Sequence, residues 1–152
     1  MEAKVIDKKI RISAPVEKVW DVLVTDELNR VWYAEFSPGA YAETDWREGS
    51  QVSFLDDSKN GITGTLVSCK PNEIISIVYD GVVEGGVNDF ECQMANDVKG
   101  GREIYMLSQV DGATELHVIC DMSDMMYDMM ASAWDRGLAK IKELAEKQLQ
   151  LQ

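Results

Sequence analysis

The segment from Ser123 to about Lys147 constrains this chain most, because it reads as one long amphipathic helix. On a 100° wheel, Met126, Met130, Ala133, Trp134, Gly137, Ile141, Leu144 and Ala145 share one face. Asp124, Asp128, Asp135, Lys142, Glu143 and Glu146 occupy the other. Ser123 is an N-cap candidate, the two early aspartates suit the positive end of the helix dipole, and Met122 is placed to staple Tyr127. At ~1.5 Å per residue such a helix is about 37 Å long, enough to cross a small domain. It cannot bury its stripe alone and needs a curved partner of similar length.

The preceding residues supply strands. Lys4–Ile12 alternates apolar and polar residues, and Ser13-Ala14-Pro15 then opens a helix with Val16, Val19, Trp20 and Leu23 on one face. Thr25 is placed to cap a second short helix, with Leu28, Val31 and Trp32 inward. Strand-like runs follow at Ala40–Trp46, Gln51–Leu55, Ile62–Cys69, Ile74–Val83, Arg102–Val110 and Thr114–Cys120. Short breakers such as Asn60-Gly61, Lys70-Pro71-Asn72 and Asp111-Gly112 separate most of them, as in an antiparallel meander. Gly85–Gly101 is too long for a hairpin loop. Phe90, Met94 and Val98 are spaced there as on a short helix, capped by Asn88 or Asp89 and stopped by Gly100-Gly101. Such a helix is either a lid or a covered edge.

A chain of 152 residues with 45% hydrophobic content fits one globular domain over residues 1–152. Its net charge of −12 argues against nucleic acid and anionic membrane as partners, which both need a positive footprint. Three cysteines, Cys69, Cys92 and Cys120, without C-x-x-C spacing suggest neither a disulfide framework nor structural zinc, so a reduced, cytoplasmic setting is expected. No apolar run approaches membrane-spanning length, and no signal segment is apparent.

Catalytic signatures are absent. The single histidine, His117, alternates with Leu116 and Val118 and is expected on the outer face, which removes a His-rich metal site and undercuts Ser-His-Asp chemistry. There is no P-loop or G-x-G-x-x-G. Acid pairs Asp56-Asp57 and Asp121/Asp124 lack calcium-loop order. Cys69 and Cys120 lie in apolar strands, and Cys92 has acidic neighbours that disfavour a thiolate. No metal and no cofactor are expected. Five methionines, Met122, Met125, Met126, Met129 and Met130, fall within nine residues, an adaptable apolar set. Ala133 and Gly137 leave the middle of the stripe small, for either close backbone approach or an open volume.

The order strand, two short helices, six strands and long terminal helix resembles the α+β helix-grip fold of the START-like (SRPBCC) superfamily, a curved antiparallel sheet of six to seven strands around the helix. Within it the chain is similar to the family named after the activator of heat-shock protein 90 ATPase. The resemblance rests on Ile12-Ser13-Ala14-Pro15-Val16-Glu17-Lys18-Val19-Trp20-Asp21-Val22-Leu23, on Asp26-Glu27-Leu28 with Val31-Trp32-Tyr33, and on Asp111-Gly112-Ala113-Thr114-Glu115-Leu116. On the helix it rests on Trp134, Gly137-Leu138, Ile141 and Leu144, and it covers about Lys4 to Lys147. Glu48-Gly49-Ser50 and Gly85–Gly101 depart from the family pattern.

The resemblance implies a cavity between sheet and helix, used across the superfamily for lipids, sterols, polyketides and other apolar molecules. Residues expected to line it are Trp32, Phe36, Phe54, Tyr79, Phe90, Met94, Tyr105, Met126, Met130 and Trp134. The first expectation is non-catalytic binding of a lipid or an aromatic, polyketide-like molecule. A cyclase or hydrolase is the second. It needs a buried carboxylate near Tyr79 or Tyr105, which the strand pattern does not clearly supply. A chaperone-interaction module is the third, and homodimerisation through Met125, Met129 or a strand edge is a further expectation.

Overall fold

The computed structural model describes residues 3–150. Its elements run β1 (Ala3–Ile12), α1 (Val16–Val24), α2 (Asp26–Tyr33), β2 (Tyr41–Glu43), β3 (Gln51–Leu55) and β4 (Gly61–Lys70). They continue with β5 (Ile74–Glu84), β6 (Val87–Asp89), α3 (Gln93–Val98), β7 (Arg102–Val110), β8 (Ala113–Ser123) and α4 (Tyr127–Gln150). The sheet is antiparallel in the order β1-β8-β7-β5-β4-β3-β2, with β6 paired to β5 beside that path. It curls into a half-barrel around α4, the helix-grip arrangement expected from the element order. Ile6, Ile12, Leu66, Ile77, Leu116 and Val118 from the sheet, Val19 and Val22 from α1, and Trp134 and Ile141 from α4 form one buried cluster. Among the described residues, no helix is long and apolar enough to cross a membrane.

Four local differences from the sequence reading have physical causes. The terminal helix starts at Tyr127 rather than Ser123, because β8 keeps pairing with β1 as far as Ala3↔Ser123. Cross-strand backbone bonds thus claim Asp121, Met122 and Ser123. A turn closed by Met126 N–H to Ser123 O makes the corner, so Met126 precedes the helix. β2 covers three residues instead of seven, since Trp46 turns left-handed (φ 56°) and Asp45 accepts the Arg47 N–H.

The inward face of α2 is Asn29, Trp32 and Tyr33, whereas Val31 is exposed. Polar contacts set this rotation. Trp32 Nε1 donates to Val22 O (3.0 Å) and Asn29 Nδ2 to Leu23 O (3.3 Å), satisfying the free carbonyls at the end of α1.

The segment Gly85–Gly101 begins with a hairpin, Glu84↔Val87, turned by Gly85 and Gly86 at positive φ. α3 follows, capped by the Cys92 sulfur, which accepts from Ala95 N, rather than by Asn88 or Asp89. Asp89 instead accepts the N–H groups of Glu91 and Cys92. Ala95 is the buried residue of α3; Met94 points outward at 67% exposure, and Phe90 precedes the helix.

Candidate functional site

Strand alternation places Ile75, Ile77 and Tyr79 of β5, Glu103, Tyr105 and Leu107 of β7, and Leu116, Val118 and Cys120 of β8 on one face. The register sets Ile77 and Cys120 on either side of Glu103, and Ile75 and Val118 on either side of Tyr105. Beyond Val78 the sheet divides. The Tyr79 N–H bonds Gly101 O (2.8 Å) and the Gly100 N–H bonds Tyr79 O (3.0 Å), after which β5 pairs with β6 instead of β7. The division lets α3 cover the gap, and a cleft of about 1600 Å³ opens between sheet, α3 and the start of α4.

Of the ten residues expected there, Trp32, Phe36, Phe54, Tyr79, Tyr105, Met130 and Trp134 line the cleft. Met94 and Met126 also line it, as exposed groups at the rim. Phe90 is not among the lining residues: its ring lies over Gly81, where an added Cβ would be 2.9 Å from Phe90 Cδ1. Met122 and Met125 join the rim, with Met125 82% exposed.

The rings form a continuous wall. Trp134 has Phe36 at 4.8 Å, Tyr105 at 5.7 Å and Trp32 at 6.1 Å between centroids. Tyr33–Phe54 (5.7 Å) and Phe54–Tyr79 (6.5 Å) extend it, both edge-to-face. Behind this wall, among Leu23, Trp32, Trp46, Ile75 and Ile77, the space narrows to a void of about 10 Å³, roughly one water-sized probe.

At the base of the wall is a carboxylate the sequence reading did not find. Glu103 accepts the Tyr79 hydroxyl on Oε1 (2.7 Å) and the Tyr105 hydroxyl on Oε2 (2.5 Å), and the Cys120 thiol lies 3.8 Å from Oε1. Burial pushes the Glu103 carboxyl above its ordinary range, while the three hydrogen bonds pull the other way. Burial, reinforced by the negative charge of Glu103, pushes both tyrosines well up, so they stay neutral donors. Cys120 is raised in the same way and is a buried thiol rather than a thiolate. The missed signal was alternation: once Tyr105 is assigned inward, Glu103 two residues earlier must share its face.

The remaining chemistry-bearing residues lie apart. His117 is on the outer face, with Nε2 2.6 Å from Asp7 Oδ1. Cys69 donates to Trp46 O (3.1 Å). Among the described residues, no group of three or more His, Cys, Asp or Glu side chains is arranged to hold a metal ion.

Comparisons with known proteins bear on the fold and family. A protein from Mesorhizobium loti, MLL2253, is 15% identical with a TM-score of 0.74, covering 95% of this chain and 98% of that one. The dimeric Aha1 from Colwellia psychrerythraea is 18% identical at TM-score 0.70, with 94% and 96% covered. CalU16 from Micromonospora echinospora is 21% identical at TM-score 0.66, with 98% and 80% covered. At these identities the likeness concerns the fold alone. No curated protein sequence matches the chain. The family model described as "Activator of Hsp90 ATPase homolog 1-like protein" matches residues 13–146, nearly the whole chain, and the protein belongs to that family.

Proposed function

We propose that the cleft holds a small, largely apolar molecule, with the lipid-like and aromatic, polyketide-like classes as its candidates. The observation that carries this reading is the open volume of about 1600 Å³ walled by aromatic rings from α2, the sheet and α4. Ligand sites are concave, mainly apolar and furnished with a few polar groups; here Glu103, Tyr79 and Tyr105 are those groups. Flat ring systems suit the edge-to-face wall, and the methionine rim adapts to varied shapes. The free thiols fit a reduced, cytoplasmic setting. Native mass spectrometry of the purified chain, before and after solvent extraction, tests the reading. A retained small molecule, or uptake of one after extraction, supports it. A chain that carries nothing and takes up nothing removes it.

Glu103 also favours a second reading, in which the cleft orients a reactive substrate and this carboxylate accepts its proton. Under that reading Glu103→Gln keeps ligand affinity and loses turnover; a variant that still turns over sinks it. The Colwellia relative is a dimer, and Met125 and Met129, both exposed, offer this chain an apolar face for self-association. Analytical ultracentrifugation of wild type and Met125→Glu/Met129→Glu tests that extension.

A further inference from the structure

We propose that the ligand is an organic cation: a protonated amine on a flat apolar body, the ammonium seated against Glu103 and the body among Tyr105, Trp134 and Phe36. The inference rests on the cleft being a ligand site and adds the charge of what it takes.

Glu103 is held by neutral donors on every side. Tyr79 from β5, Tyr105 from β7 and the Cys120 thiol from β8 supply hydrogen bonds and no positive charge. Tyr33 from α2 adds only another neutral phenol, its own titration pushed well up by burial. Among the described residues, none of the ion pairs includes Glu103. The adjacent Arg102 alternates to the opposite face, where both its Nε (2.9 Å) and Nη2 (3.0 Å) bind Asp121. A half-buried carboxylate without a counter-charge is partly desolvated at a cost, and a ligand ammonium supplies the missing partner. An ionised carboxylate has about four acceptor sites, so the three donors already present leave one for an N–H.

The surroundings favour the same charge. Aromatic faces attract cations through the ring quadrupole; Tyr105, whose hydroxyl bonds the carboxylate, packs against Trp134, and Trp134 against Phe36. Apart from Asp121, which Arg102 neutralises, the other charged groups lining the cleft are Asp56, Glu84 and Asp97 against the single Lys99, whose Nζ bonds Asn96. Organic anions meet a negative field there.

The test is calorimetric titration of the full chain with three probes of one shape: 1-naphthylmethylammonium, 1-naphthalenemethanol and 1-naphthoate. At pH 8 the ammonium is expected to bind about tenfold or more tightly than the alcohol, with the naphthoate weakest. The ammonium's affinity falls on acidification through the Glu103 titration, and that of the alcohol does not. In Glu103→Gln the roughly tenfold advantage of the ammonium over the alcohol is lost. Wild-type preference and its pH dependence stand as the test if that variant folds poorly. An alcohol that binds as well as the ammonium overturns the inference while leaving apolar binding intact. Failure of all three probes to bind overturns both.

Discussion

The ring of Phe36 occupies the space that a side chain at position 137 would need: a Cβ on Gly137 would stand 2.9 Å from Phe36 Cε2 and 3.2 Å from Cζ. The sequence left two explanations for a small residue in mid-stripe, close backbone approach or open volume. The structure supplies a third, a ring from the loop after α2. Phe36 in turn packs edge-on to Trp134 at 4.8 Å, so Gly137 positions a wall of the cleft.

Gly137→Ala therefore opposes two effects. Alanine gains ~1 kcal/mol of helix propensity. Forcing a methyl against a ring wedged beside Trp134 costs ~1–3 kcal/mol. The expected net is a loss of about 1 kcal/mol in urea unfolding, with weaker binding of any apolar probe as Phe36 is displaced. A more stable variant with unchanged probe affinity would contradict the assignment.

Glu103 gives stability a pH dependence with a definite sign. Its folded carboxyl is raised above the ordinary value by burial, so the folded state holds the proton more tightly than the unfolded chain. This contribution is fully present below the unfolded carboxyl range and is lost as pH rises through the raised folded value. Wild type should lose stability relative to Glu103→Gln between pH 4 and pH 8, by ~1.4 kcal/mol for each unit of elevation. Denaturant midpoints of both proteins across that range measure it. A constant difference, or one moving the other way, refutes the account of Glu103.

Trp32 is both a core residue and a clasp between the two short helices. Its indole N–H bonds Val22 O at 3.0 Å, with the ring 2% exposed. Trp32→Phe keeps an aromatic ring but removes the donor and some volume, and it should cost ~2–3 kcal/mol. Chemical denaturation reads the loss directly. A cost within about 0.5 kcal/mol, as at an ordinary surface site, would show that the clasp is unimportant.

Cys120 is buried and its thiol is held protonated by burial and by Glu103. In native protein at pH 8, iodoacetamide should leave Cys120 unmodified, and labelling should reach it only in denaturant. Peptide mapping after timed alkylation provides the check. Rapid native labelling of Cys120 would place it in a different environment.

Periodicity made most of this fold legible, but only where one interaction governed the chain. The stripe of α4 from Met130 to Ala145 and the strands β3, β4 and β7 follow apolar pattern and turn chemistry closely. The start of α4 was legible only in part, because Ser123 and Asp124 satisfy capping rules while the pairing of β8 with β1 is a long-range fact. Leu28 and Val31 suggested one face of α2, yet two side-chain bonds to the end of α1 rotate it by about one residue. In the site, the aromatic residues were visible because rings in apolar runs stand out. Glu103 was hidden because a charged residue near a strand start reads as solvated until its partners Tyr79 and Tyr105 are known to face it. Phe90 was misplaced because the hairpin at Gly85-Gly86 carries it over Gly81.

The most direct measurement is a fluorescence titration with N-phenyl-1-naphthylamine, a neutral apolar probe that the acidic cleft does not repel. Probe emission should rise saturably at one probe per chain, with tryptophan emission quenched as the site fills. In Trp134→Phe, part of that quenching disappears. A non-saturating signal, or quenching identical in the two proteins, would mean that the cleft beside Trp134 is not where apolar molecules bind.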